Sequence, residues 1–132
     1  MKNDTIYLAG PVTNYDLAER RRYFGKIADQ IKPFVSDVKN PMRFGIPADA
    51  THEKAMKVFC LPIICECDSI LLLPNWQASR GAKFEYEVAR EIGLRIYVLN
   101  ATGSVFDRKS KGIRFFIEMP SEGRLVRKNY PG

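Results

Sequence analysis

The sequence predicts a single α/β domain: a three-layer, doubly wound parallel sheet with helices on both faces. Three observations carry that expectation. Continuous apolar runs, SILLL at 69–73 and LRIYVL at 94–99, suit strands covered on both sides. Helical patterns fill the gaps between such runs, and the resulting order β-α-β-α-β-α-β winds a parallel sheet through right-handed crossovers. A length of 132 residues is one domain's worth of chain.

The first strand is Thr5–Ala9 (TIYLA), short, β-branched and aromatic. A weaker strand is expected at 34–38, ending before Asn40-Pro41. The third and fourth strands are the runs at 69–73 and 94–99. After Thr13-Asn14, Asp16 and Glu19 have the spacing of a capping box, and Leu17, Phe24, Ile27, Ala28 and Ile31 make one apolar face of a first helix. A second helix is expected from His52 to about Glu66, with Met56, Phe59, Cys60, Ile63 and Ile64 on its apolar side and Pro62 kinking or splitting it. The third spans 79–92, with Ser79 as N-cap and Gly93 just beyond its end. Residues 4–100 form the expected core, and 101–132 a basic extension with a short edge strand or helix. The architecture is flavodoxin- or Rossmann-like. In such folds ligands bind at the carboxyl ends of the strands, here 9–13, 40–43, 74–81 and 100–101.

Composition narrows the function classes. Hydrophobic residues are 45% and charged residues 27%, which excludes a disordered chain. No run approaches the ~18–20 apolar residues of a membrane span, and MKNDTIYLAG has no secretory-signal pattern, so a cytoplasmic protein is expected. The formal charge is +6, most of it in residues 100–132. That tail lacks the dense Lys/Arg run of a dedicated nucleic-acid reader. A solvated surface or mild attraction for phosphorylated small molecules accounts for it. Cys60, Cys65 and Cys67 are odd in number and have no C-x-x-C spacing, so reduced structural thiols are expected rather than disulfides or a metal site.

One residue does not fit its element. Gly81, Ala82, Glu85, Val88, Ala89 and Ile92 share one face of the third helix at helical period. Five are small or apolar, as a sheet-packing face requires; the sixth is a glutamate. A carboxylate there is costly unless paired, hydrogen-bonded or opened to a cleft. Either Glu85 is a boundary residue reaching water or an arginine, or it projects into the cleft, kept ionised by the helix N-terminus, as a glycosidic nucleophile needs. Asp68 stands before the SILLL strand, as a turn residue or as a second acid. Tyr7 is ordinary core or a polar partner within the first strand. Trp76 either stacks on a base or packs as a lid. Gly10-Pro11 marks a sharp strand exit; no G-x-G-x-x-G or Walker lysine motif is present.

The segments IYLAGPVT, CDSILLLPNW and SRGAKFEYEVAREIGL resemble the DUF4406 family over most of residues 5–99. That family is similar to the nucleoside 2-deoxyribosyltransferases and the 2′-deoxynucleoside 5′-monophosphate N-hydrolases. The pattern is met by Trp76, Ser79, Gly81, Ala82, Glu85 and Ala89. The resemblance implies that Glu85 is the nucleophile attacking the anomeric carbon, that Asp68 assists departure of the base and that Tyr7 orients the nucleophile. It also implies that Gly10 and Thr13 line the sugar or phosphate pocket, with Trp76, Ser79 and Gly81 contacting substrate. Where the transferases carry an aspartate six residues before the nucleophile, this chain has Ser79, as the N-hydrolases do. A hydroxyl with free backbone N–H groups suits a phosphate better than a second carboxylate would. The shorter segment between Asp68 and Glu85, partly taken up by Trp76, implies a reshaped base pocket. A homodimer or higher homo-oligomer is implied, with Asn129 as the group able to complete a neighbour's site.

The expected function is therefore N-glycosidic cleavage of, or deoxyribosyl transfer from, a 2′-deoxynucleoside 5′-monophosphate, with no metal or organic cofactor. The alternatives are a non-catalytic nucleotide-binding module and a DNA-associated protein using the basic tail.

Overall fold

The first strand is buried on both faces, and its alternation organises the molecule. In the computed structural model, which describes residues 1–44 and 60–126, β1 (Thr5–Ala9) points Ile6 and Leu8 to one side of the sheet and Tyr7 and Ala9 to the other. Ile6 and Leu8 pack with Tyr23, Phe24, Ile27 and Ile31 of α1 (Leu17–Ile31). Tyr7 and Ala9 pack with Cys60, with Ile64 of α2 (Leu61–Cys65) and with Ala82, Tyr86 and Ala89 of α3 (Arg80–Glu91). β3 (Ser69–Leu72) repeats the division: Leu71 faces α1, while Ile70 and Leu72 face α2 and α3. This two-sided burial is why TIYLA and SILLL lack polar alternation.

The sheet has six strands in the order β2-β1-β3-β4-β5-β6. β2 (Asp37–Lys39), β1, β3 and β4 (Arg95–Leu99) are mutually parallel. β5 (Ser104–Asp107) and β6 (Ile113–Phe116) run antiparallel. The sheet is thus mixed, not wholly parallel as expected. An Asn100 turn reverses the chain after β4: the Asn100 carboxamide accepts from the Thr102 and Ser104 amides. Val105, Phe115 and Ile117 then extend the core beneath α1. Among the described residues, no helix is long and apolar enough to cross a membrane.

Three local expectations need correction. The second strand begins later than 34–38: Pro33 opens a 3₁₀ turn over Lys32–Phe34, and the Phe34 ring stacks on Phe115 at 4.1 Å instead of entering the sheet. Leu17 and Ile92 are about half exposed. Leu17 opens its helix, whose buried stripe begins at Arg20, and Ile92 caps the other helix just before the left-handed Gly93. Pro62 sits in the first turn of α2, where a missing N–H costs no helical bond; the rest of the expected second helix, with His52, Met56 and Phe59, lies outside the described residues.

Both long helices are capped by the predicted residues. The Asp16 carboxylate accepts from the Glu19 amide at 2.9 Å, and Ser79 Oγ from the Ala82 amide at 3.2 Å. The capping box at α1 is only half made. Glu19 turns away to accept the Arg124 amide, and the Asp16 amide donates to the Arg124 carbonyl.

At the carboxyl end of β1 the chain passes tightly over β3. A Cβ on Gly10 would lie 2.8 Å from Leu73 Cβ. Gly10→Ala is therefore expected to destabilise the fold by about 1–3 kcal/mol through overpacking. Urea denaturation checks it, and an unchanged midpoint would show that the strand can move aside.

Candidate active site

Helix α3 starts at the carboxyl end of the sheet, and its buried stripe carries Glu85 inward. Ala82, Glu85, Tyr86 and Ala89 are its buried residues. Glu85 is only 5% exposed and accepts a hydrogen bond from the Tyr7 hydroxyl on β1. It forms no salt bridge among the described residues, so the reading as a surface ion pair does not hold. Burial pushes the Glu85 carboxyl up to about 8, and the Tyr7 hydrogen bond moderates that rise. Tyr7 lies well above the usual phenol range, first through burial and then through the neighbouring Glu85. The Cys60 thiol, against the same hydroxyl, is pushed up to about 11 by burial.

The expectation of a carboxylate kept ionised by the helix N-terminus is therefore overturned. A helix terminus contributes ~0.3–1 kcal/mol, up to ~2 in a favourable partly buried site. A shift from 4.5 to about 8 corresponds to roughly 5 kcal/mol against the charge. Burial wins, and Glu85 rests mostly as a neutral acid at pH 7.

Beside this pair lies a pocket of about 520 Å³ between the carboxyl ends of β1 and β3. Thr13, Asn14 and Tyr15 of the loop after β1 form one side; Asn75, Ser79, Arg80 and Gly81 form the other; Leu125 closes a third. Gly81 precedes Glu85 by four residues, about 6 Å along the helix axis on the same face, and Glu85 itself is not among the residues lining the pocket.

The structure thus brings together Thr13, Ser79 and Gly81 at the pocket, and Tyr7 with Glu85 on the adjoining β1 and α3. Gly10 sits just before Pro11 of the pocket wall and shapes the strand exit. Two expected site residues stand elsewhere. Asp68 precedes β3, at the amino pole of the parallel strands, where its exposed carboxylate accepts the Thr5 amide at 2.8 Å. The length of β3, roughly 13 Å, separates it from the carboxyl pole. Trp76 is buried edge-on against Tyr86 at 4.8 Å, under the Arg108 guanidinium, which also bonds the Tyr86 hydroxyl. Its indole is core, because α3 leaves an apolar hollow there. Asn129 lies outside the described residues.

Sequence reasoning missed Arg20, which is wholly buried. Its Nε donates to the Pro11 carbonyl at 2.7 Å and its guanidinium lies over Tyr15 and Tyr23. The signal was available: Arg20, Phe24, Ile27 and Ile31 fall on one helical stripe, as Glu85 does on its own. It also missed Tyr86, Cys60 as a neighbour of Tyr7, and Leu125. Cys60, Cys65 and Cys67 are all unbridged, and no group of three metal-ligating side chains occurs among the described residues.

The chain matches the family described as domain of unknown function (DUF4406) over residues 4–98, well over half its length, and belongs to that family. No curated protein and no solved structure matches it.

The raised Glu85 value makes a signed stability prediction. Between pH 4.5 and about 8 the unfolded chain releases the Glu85 proton while the folded chain retains it. Stability must then fall with rising pH across that window, by up to ~5 kcal/mol in total, and be insensitive to this group on either side. Glu85→Gln removes the effect, so the variant gains on the wild type progressively through the window. Urea titrations of both proteins from pH 4 to pH 9 measure it; parallel curves would place Glu85 in contact with water.

Proposed function

We propose that this chain cleaves the N-glycosidic bond of a 2′-deoxynucleoside 5′-monophosphate, or transfers its deoxyribosyl group, with Glu85 as nucleophile. The observation that carries the reading is the buried Tyr7–Glu85 pair on β1 and α3, the two elements whose adjoining segments, the loop after β1 and the start of α3, line a pocket at the strand ends. We read the fold as doubly wound and flavodoxin-like. The strand order 2-1-3-4 supports this, with α1 on one face and α2 and α3 on the other. The crevice between β1 and β3 is then the switch point at which such folds bind ligands.

The phosphate would sit against the start of α3, where backbone N–H groups are free of helical partners. Ser79 Oγ already accepts from Ala82, and its proton remains to donate. That position directs the sugar toward Glu85. In its ionised form Glu85 attacks C1′; the C1′–N bond breaks with its electron pair on the base, which takes a proton from water. Water or a second base then attacks C1′ and releases the carboxylate, a double displacement as in retaining glycosidases. Tyr7 acts as a hydrogen-bond donor throughout, since its own proton is held tightly. Asp68 takes no part in this version of the reaction, being at the far pole of the sheet.

One observation favours the second reading, a nucleotide-binding module without turnover. Burial pushes Glu85 up to about 8, which disfavours the ionised form that attack requires. The DNA-binding reading loses support, because Arg108, Arg114 and Arg124 of the tail are engaged with Tyr86, Asp107, and Asp16 and Glu19.

Incubation with the four deoxynucleoside monophosphates, with free base followed by chromatography, tests the proposal. kcat/KM is expected to rise with pH and level off above about 8, as Glu85 ionises. Glu85→Gln should lower it by at least about 10³-fold. Tyr7→Phe should move the inflection to higher pH, because the hydrogen bond that favours the carboxylate is gone. Saturable binding with no base released at any pH would leave the module.

A further inference from the structure

We propose that residues 122–126 form a ligand-coupled strap. Docked on the start of α1, they build the outer wall of the pocket beside Ser79, and an anionic ligand in that pocket holds them down in turn. The inference rests on the reading of that pocket as a phosphate site.

The strap is held almost wholly through backbone groups. The Asp16 amide donates to the Arg124 carbonyl at 2.8 Å, and the Arg124 amide to the Glu19 carboxylate at 2.6 Å. The Val126 amide donates to the Asn14 carbonyl at 2.6 Å, and Tyr15 and Leu125 form an isolated antiparallel bridge. Arg20 Nη1 reaches the Glu122 carbonyl at 3.0 Å. Thus the strap completes the cap of α1 that Asp16 and Glu19 leave half made. The fit is specific: Gly123 has φ +86°, and a Cβ there would meet Glu19 Cβ at 2.8 Å.

The same segment buries little. Leu125 is 71% exposed although it lines the pocket, and Val126 is 43% exposed. The Arg124 ion pairs to Asp16 and Glu19 are long and solvated, and such pairs hold weakly. Even the docked state leaves Arg20 Nη2 buried without a hydrogen-bond partner among the described residues. A segment with many polar bonds and few apolar contacts opens locally at low cost. When it lifts, the pocket keeps the Thr13 and Ser79 sides but loses the Leu125 wall. A ligand that touches that wall binds the docked state more tightly, and by reciprocity stabilises docking.

The experiment uses the full chain with two probes, inorganic phosphate and 2′-deoxyadenosine 5′-monophosphate. Hydrogen exchange at the Asp16, Arg124 and Val126 amides is followed with and without each probe. Both probes are expected to slow these amides, the nucleotide the more, if the strap contacts more than the phosphate. Gly123→Val and Glu19→Ala should each free the strap and weaken nucleotide binding at least about tenfold, with strand amides in β1 and β3 still protected. Wild-type affinity in both variants, or strap exchange indifferent to bound nucleotide, overturns the coupling and leaves the proposed function standing. Absence of nucleotide binding by the wild type overturns both.

Discussion

The Tyr7–Glu85 hydrogen bond is the constraint around which the carboxyl end of the sheet is arranged. Its donor comes from the middle of β1, between β2 and β3 in the sheet, and its acceptor from the second turn of the helix packed over that strand. The Tyr7 hydroxyl also meets the Cys60 thiol, and the walls around the pair, Ile64, Ile70, Leu72 and Ala82, are apolar. A carboxyl in such surroundings is cheap only as the neutral acid. The packing that makes α3 adhere to the sheet therefore also sets the protonation state of its one buried acid.

The opposite face carries the complementary anomaly. Arg20 lies wholly buried on the α1 side, with Pro11 between it and the strand exit, and its charge is met by carbonyl oxygens and aromatic faces rather than by a carboxylate. Cation–π contact of this kind is worth more when desolvated. Arginine cannot escape its cost by releasing a proton, as Glu85 can by taking one up. The cation is instead tied to the loop after β1, so that the Pro11 backbone is held from one face by Arg20 and the strand behind it from the other by Glu85. The loop that forms half of the pocket is thus anchored by two ionisable side chains that sit on the buried stripes of their helices.

What could be read from the chain was what depends on near neighbours. The strands at 5–9 and 69–72 showed as unbroken apolar runs because both faces are covered. The caps at Asp16 and Ser79 showed because a cap is a three-residue event. Glu85 showed because a helical stripe has a period. β5 and β6 showed only as one short edge strand or helix somewhere in 101–132, because SVFD and IRFF are four-residue segments flanked by charge, and β6 is the largely exposed edge. Asp68 was misplaced for a topological reason. A residue that heads a strand and one that heads the next helix are a few positions apart in sequence, yet they occupy opposite poles of a parallel sheet. Trp76 stands after the same strand, on the correct pole, and was misjudged because nothing local indicates that Tyr86 and Arg108 enclose it. The half-open cap of α1 needed a partner more than a hundred residues away, which no local spacing reveals.

A resting carboxyl that is mostly neutral is a poor nucleophile only if the resting state is the one that matters. In the proposed reaction positive charge develops at C1′ as the base departs. At about 3.5 Å and an effective dielectric of ~20, attraction between that charge and the carboxylate is on the order of 5 kcal/mol. The cost of ionising Glu85 in its apolar walls, inferred from its rise to about 8, is of the same order. A site lined with standing cations would stabilise the carboxylate equally before and during the reaction, which does not lower the barrier. A carboxylate left without a cation instead gains its partner at the transition state. The apolar walls that hold Glu85 neutral in the free protein are, on this argument, what would make its charge selective for the reacting sugar.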